Sequence, residues 1–277
     1  MINRRLVLGG ALAAMTMGAA KAVEHEASSL MLTDGRRVPL DIWRPGGASR
    51  GLVAFSHGAN SRPDKYSRLC SVLAVAGFTV VAPLHADSPD HPGGGSISRE
   101  QGVPMRMTDM GAVFGEFAVS GQPMVAAGHS YGGLIAQMLG GAAGTPASDI
   151  KAVLAFSPPG PFPPAITTDT WKSMARPMYV QTGTADVLPM MAPKWDVHRT
   201  SHDASPAPSV LFVGQGVDHY FGNIIGRPER NEAPQTAQFG DAMMVALGFI
   251  ERMLTGRTIA DLARPPYTGQ SWVEVRR

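Results

Sequence analysis

After its first thirty residues the chain alternates short apolar runs with segments of helical spacing. Residues 30–32 and 38–43 read as a first pair of strands, joined by a turn at Asp34-Gly35. Residues 52–56 form an apolar run that ends in Ser56-His57-Gly58, and residues 64–76 carry apolar positions at helical spacing, stopped by Gly77. Residues 78–82 are continuously β-prone, as in a strand covered on both faces. A loop rich in Asp, Pro, His and Gly spans 84–96, a helical pattern 105–119, a strand 124–127, a helix 131–139 and a strand 152–156. Strands at 178–181 and 210–213 and a long amphipathic helix at 235–254 complete the pattern. Strands separated by helices predict an α/β fold: a mostly parallel central sheet with helices on both faces. The segment after Thr255 reads as surface packing with no assigned role.

The N-terminus reads differently. Arg4 and Arg5 precede an apolar stretch over residues 6–20, and Ala20-Lys21-Ala22 has the small-x-small form of a cleavage site. Residues 1–22 are thus expected to be a signal peptide for export to the periplasm or outside the cell, by the general or the twin-arginine route. That run is too short to span a bilayer comfortably, leaving residues 23–277 as one domain with no integral membrane segment. Removing Arg4, Arg5 and Lys21 turns 24 basic against 22 acidic residues into 21 against 22, a net charge of −1. No basic cluster remains to suggest a nucleic-acid partner. Apolar residues make up 44% of the chain and charged ones 17%, ample for a buried core. The single cysteine, Cys70, lies among apolar helical positions and reads as a buried thiol. The 16 methionines read mainly as core filling.

The chemistry is concentrated at residues 128–133, Gly-His-Ser-Tyr-Gly-Gly, between a predicted strand and a predicted helix. G-x-S-x-G in that context is a nucleophile elbow: small residues two before and two after Ser130 let strand and helix approach and lift the hydroxyl out of the sheet. With this motif the chain resembles the α/β-hydrolase superfamily over about residues 30 to 255. The resemblance implies a serine hydrolase with Ser130 as nucleophile. It also implies an oxyanion hole made by the backbone N–H groups of Ala59, after Ser56-His57-Gly58, and of Tyr131. His57 itself reads as a structural residue.

A serine hydroxyl needs a neutral imidazole as base, and that imidazole needs a carboxylate to orient it. The family order is Ser, acid, His. Of the three histidines after the elbow, His219 lies where the family places its base, in Gly216-Val217-Asp218-His219-Tyr220, just after the last predicted strand. Asp186, in Thr182-Gly183-Thr184-Ala185-Asp186, follows the strand before it and is the expected acid; Asp218 is its main rival and reads as a loop-stabilising group. His198 and His202 lie in a polar stretch and read as a solvated face. His85, Asp87, Asp90 and His91 read as a mobile loop rimming the pocket rather than metal ligands. The segment 157–175 holds five prolines and is too short for a large cap. Phe162 and Trp171 of this segment, with Asn60 and Tyr220 elsewhere, are the substrate-pocket candidates.

The expectation is a carboxylic-ester hydrolase acting on a small-molecule ester without metal or cofactor. It resembles the branch of dienelactone hydrolases and platelet-activating-factor acetylhydrolases. Dienelactone hydrolases proper use a cysteine nucleophile, so their lactone substrate does not carry over to a chain with Ser130 at the elbow. Amide hydrolysis, acyl transfer, or a non-catalytic binding role on the same fold are the alternatives.

Overall fold

The computed structural model describes residues 22–277 except 94–96, 145, 148, 190, 265 and 266. The expected signal peptide lies outside the described residues apart from Ala22. Nine strands form one sheet in the order β1-β2-β4-β3-β5-β6-β7-β8-β9. They are β1 (Glu24–Met31), β2 (Arg37–Arg44), β3 (Leu52–Ser56), β4 (Thr79–Pro83), β5 (Met124–His129), β6 (Ile150–Phe156), β7 (Met178–Gly183), β8 (Ser209–Gly214) and β9 (Trp272–Arg276). Strands β3 to β8 run parallel; β1, β2 and β9 pair antiparallel at the two edges.

Alternation along the buried strands divides two cores. Val53 and Phe55 of β3, with Val125 and Ala127 of β5, face α1 (Ser67–Val75) and a later helix over Thr236–Thr255. Ala54 and Ala126 face the other way, where Met110 and Val113 of α2 (Arg99–Phe117) and Leu134 and Ile135 of α3 (Tyr131–Leu139) close over the sheet. A fourth, short helix, α4, spans Thr200–Ala204, so the long C-terminal helix is α5. It ends where Gly256 turns left-handed at φ +67°, a conformation that glycine adopts without a Cβ penalty. Cys70 is buried in the first core, and burial pushes its thiol well above the usual range.

Three elements differ from expectation, each for a local reason. The first strand begins at Glu24 rather than 30, because its polar residues pair with β2 on an exposed edge and show no apolar run. Helix α2 begins at Arg99 rather than 105: Ser98 and Gln101 form a reciprocal capping box, and the helix runs on past Pro104. The C-terminal segment supplies β9, whose Val273 and Val275 sit opposite Phe212 and Val210 of β8. Its Trp-Val-Glu-Val-Arg sequence is too polar and short to stand out as a strand.

Trp171 lies in a 3₁₀ turn, Thr168–Ser173, within the proline-rich segment between β6 and β7. It was expected at a substrate pocket, but it is fully buried in the second core. Its indole Nε1–H donates to Gln137 Oε1 at 2.8 Å, and Gln137 Nε2 in turn donates to Ser201 Oγ at 2.9 Å. An indole N–H must find an acceptor when buried, and here it ties the insert to α3 behind the elbow. Phe162 is only half-buried, bridging to Ile166 at the margin of the same core. Trp171→Phe should therefore cost about 1–3 kcal/mol by leaving the Gln137 amide unpaired, and Trp171→Ala about 3–5 kcal/mol. Urea unfolding reads both; an unchanged midpoint for either variant contradicts this anchoring role.

Candidate active site

The turn from β5 into α3 passes through Ser130 at φ 52°, ψ −123°. That region is costly for a residue with a Cβ and persists only where neighbours enforce it. The enforcement is visible. Ser130 N–H donates to Phe156 O at 2.8 Å, and Gly133 N–H donates back to Ser130 O at 2.8 Å. A Cβ on Gly128 would lie 2.2 Å from Gly132 O, and one on Gly132 only 2.0 Å from Ser56 O. The two glycines of the motif are therefore demanded by backbone packed on backbone.

Ser56 of β3 pairs with Gly128 of β5, so the two chains leave the sheet side by side. Ala59 is thereby brought to the same edge as Ser130, and a Cβ on Gly58 would lie 3.5 Å from Ser130 Cβ. Asn60 follows at φ 51° and is exposed. Tyr131 is buried at the start of α3, where backbone N–H groups are unsatisfied by the helix itself.

The end of β3 is held by a buried polar network. Arg106, fully buried, donates Nε–H to the Asp87 carboxylate at 2.9 Å, and Nη1–H to His57 O and to Ser56 Oγ. Its guanidinium also lies 4.4 Å from the centroid of the Tyr131 ring. His85 Nδ1–H donates to Asp109 Oδ2 at 2.9 Å, and Ser56 Oγ–H donates to His85 Nε2 at 2.9 Å. Arg36 reaches the other oxygen of Asp109 at 2.9 Å. Burial and the nearby Arg106 charge hold His57 and His85 well below the ordinary histidine value, so both are neutral. Burial raises Asp109 to about 6 even though Arg36 pulls it down. His85 and Asp87, expected on a mobile rim, are instead fixed beneath the β3 loop.

Asp186 follows β7 in a turn closed by its own N–H on Gly183 O at 2.9 Å. Its Oδ2 accepts from Thr182 Oγ1 at 3.0 Å, and its Oδ1 accepts from His219 Nδ1 at 2.7 Å. Both side chains are buried. Burial alone would raise Asp186, but the charge of His219 and the hydrogen bonds of His198 and His219 outweigh it and hold the carboxyl well below the usual range. Asp218 turns away: its Oδ1 accepts from Tyr220 N and Gly222 N at 3.0 and 2.7 Å, and its Oδ2 pairs with Arg230 at 3.0 Å. It braces the loop that carries His219, as expected. The half-buried Tyr220 packs edge-on against the His219 ring at 4.9 Å.

Four residues at this edge escaped sequence reasoning. Arg106 is one. His129 and Tyr66 form a second link: His129 Nε2–H donates to His219 O at 2.8 Å, Tyr66 Oη–H donates to His129 Nδ1 at 2.9 Å, and Gly58 N–H donates to Tyr66 Oη at 3.0 Å. Burial keeps His129 neutral and pushes Tyr66 up to about 12, so neither disturbs that direction of donation. The fourth is His198, buried rather than solvated, with Nε2 3.0 Å from Asp186 Oδ1. His202 is buried too, bonded to Ser209 Oγ at 2.8 Å. Both histidines misread as surface because the polar residues around them hid the inward face of a short turn.

Asp186, His198 and His219 offer ligand atoms within 4.8 Å of one another. The 2.7 and 3.0 Å contacts among them are proton-bridged or ionic distances. A zinc ion bonded to each group at about 2.0–2.2 Å would need those atoms spread further apart.

An α/β sheet of this order, with Ser130 on a strained elbow after β5 and an Asp–His pair carried by the loops after β7 and β8, defines the α/β-hydrolase fold. The chain belongs to the serine aminopeptidase S33 family, whose model matches residues 47–211, more than half its length. Solved structures share the fold. A candidate dienelactone hydrolase from Klebsiella pneumoniae aligns at TM-score 0.61 with 18% identity, over 81% of this chain and 98% of that one. An esterase from Pyrococcus furiosus aligns at 0.59 with 16% identity, over 83% and 93%. A puromycin-hydrolysing peptidase from Mycobacterium tuberculosis aligns at 0.61 with 16% identity, over 87% of this chain but only 41% of its own. No curated protein sequence matches the chain.

Two consequences can be measured. Arg106→Met strips Asp87 of its buried cation and releases the β3 loop, and should lower unfolding stability by about 3–5 kcal/mol. A loss below 1 kcal/mol in denaturant titration speaks against the network. For Asp186, the folded value lies below the unfolded ~3.9, so its contribution is complete above about pH 4 and is lost as pH falls through the folded value. The stability advantage of wild type over Asp186→Asn should therefore shrink in acid; a constant advantage from neutral to strongly acidic pH contradicts the sign.

Proposed function

We propose that this hydrolase cleaves small carboxylic esters through an acyl-enzyme on Ser130, with His219 as base and Asp186 as its orienting carboxylate. The observation that carries the reading is the 2.7 Å contact from His219 Nδ1 to Asp186 Oδ1 at the sheet edge where Ser130 emerges. With Nδ1–H committed to the carboxylate, the Nε2 lone pair is the basic one. Ser130 Oγ attacks the ester carbonyl as Nε2 takes its proton, and the carbonyl pair moves onto oxygen, held by the N–H groups of Ala59 and Tyr131. Collapse expels the alkoxide, which leaves with the proton from Nε2. Water then repeats the sequence on the acyl-enzyme and releases the carboxylic acid.

The family description and the puromycin-hydrolysing neighbour speak for a second reading, amide or peptide cleavage with the same groups. An aminopeptidase must accept an α-ammonium. Here Arg227 and Arg230 already occupy the face of the Tyr220 ring beside His219 at 5.9 and 4.9 Å, and Arg230 takes up Asp218 at 3.0 Å, the groups at that side that would otherwise receive an ammonium. Between β6 and β7 the described chain forms only the 3₁₀ turn anchored by Trp171, in keeping with an uncapped site for soluble esters. The same reading takes residues 1–22 as an export signal, so the enzyme would meet its ester in the periplasm or outside the cell.

The test is a panel of p-nitrophenyl acetate and butyrate against aminoacyl p-nitroanilides, with fluorophosphonate labelling. Esters should turn over faster, and Ser130→Ala should lose labelling and roughly 10⁴-fold or more of kcat. Faster anilide cleavage would replace ester with amide hydrolysis; folded protein that resists labelling would remove the serine mechanism altogether.

A further inference from the structure

His198 has no place in the mechanism above, yet it is buried against the acid. It sits in the 3₁₀ turn Trp195–Arg199, and its ring approaches that of His219 to 5.6 Å between centroids. Its Nδ1 lies 2.7 Å from Pro158 O, and its Nε2 lies 3.0 Å from Asp186 Oδ1. A carbonyl and a carboxylate are both acceptors and nothing else. One ring cannot satisfy both as a neutral imidazole, since one nitrogen would then turn a lone pair on an oxygen lone pair inside a dry site.

We propose that His198 is a positioning residue held as an imidazolium at neutral pH, so that the Asp186 carboxylate is shared between this cation and the catalytic His219. The proposal rests on the triad reading given above. His198 Nδ1–H donates to Pro158 O, and the charge of the ring holds Asp186 at Oδ1 while the Thr182 hydroxyl holds Oδ2. The contact to Asp186 is ionic first: the Nε2–H lies off the line to Oδ1 and has no aligned acceptor among the described residues. Burial disfavours a charged His198, but Asp186 more than compensates and raises it above the ordinary histidine value. Its stabilising contribution is thus complete below about pH 6.5 and is lost as pH rises through the folded value.

Among the described residues Asp186 is the one carboxylate within ion-pair distance of His198; Asp196, on the same turn, is exposed. His219 faces His198 from the β8 loop, and the neutral His129 faces it from the end of β5. On its own stretch, Arg199 is committed to Asp203 and Glu274, and His202 to Ser209.

The functional consequence concerns basicity. A cation beside Asp186 weakens the pull of that carboxylate on the His219 proton. It keeps His219 unprotonated, and so able to act as a base, at lower pH than an unshared carboxylate would. His198→Gln keeps an N–H donor near Asp186 but removes the charge. It should move the acid limb of the kcat/KM profile upward by roughly two pH units, as expected for one charge at this separation with an effective dielectric near 20. A purely structural His198 predicts loss of kcat or stability with the limb unmoved, and that result overturns the proposal.

Imidazole ¹⁵N–¹H correlation spectra of the wild-type protein give a readout independent of both catalysis and the variant. His198, assigned through its side-chain-to-backbone correlations in the wild-type protein, should show both nitrogens protonated at pH 7. A single neutral tautomer overturns the assignment even if the variant does not fold. So does one equivalent of tightly held metal, absent from His198→Gln, because Nε2 would then be a ligand. If fluorophosphonate fails to label Ser130 while the spectra show the imidazolium, the triad reading falls and the charge state of His198 stands.

Discussion

The architecture turns on one close approach. Helix α3 crosses the end of β3 so tightly that Gly132 could not carry a single methyl without meeting Ser56 O. This crossing forces Ser130 into left-handed backbone, sets it beside Gly58, and puts the start of α3 next to the β3 loop. Other interactions at the C-terminal edge serve to keep that crossing closed. Arg106 draws the His57 carbonyl and the Tyr131 ring together from below, and Tyr66 holds Gly58 to His129 from the other face.

Charge is sorted within a few ångströms. Besides His219, four histidines lie buried near the elbow with their charge suppressed or balanced by different means. His57, His85 and His129 are kept neutral by burial, each with one nitrogen donating and the other accepting. His198 faces acceptors at both nitrogens and is the exception. Neutral histidines serve as directional spacers between backbone segments. A charged one acts through its field on Asp186, and so on whatever Asp186 contacts.

Legibility from sequence followed locality. Ser130 declared itself because the elbow is a six-residue pattern with its strand and helix on either side. His219 and Asp186 followed from strand ends and chain order, and the structure brings them into contact. Arg106 was hidden because a buried arginine makes sense only once Asp87, nineteen residues earlier, is seen beneath it. Trp171 looked like a pocket aromatic because nothing nearby in sequence shows that Gln137 waits for its indole N–H. His198 and His202 carry the residue types of a surface turn, and only the sheet beneath shows which way they face. The edge strands β1 and β9 were blurred for a related reason: strands that are half solvated need little apolar pattern.

The contacts that close the site are also among the long-range ones in sequence. Arg227 reaches back to Asn60 O across 167 residues, Ser61 donates to Gly226 O across 165, and His129 meets His219 O across 90. Such closures form after the local structure on which they depend. An incomplete or partly folded chain would therefore present the elbow without His219 beside it and with an unpinned β3 loop. The arrangement at this edge is thus a report that the whole chain has closed: no partly folded state, however much local structure it holds, assembles it.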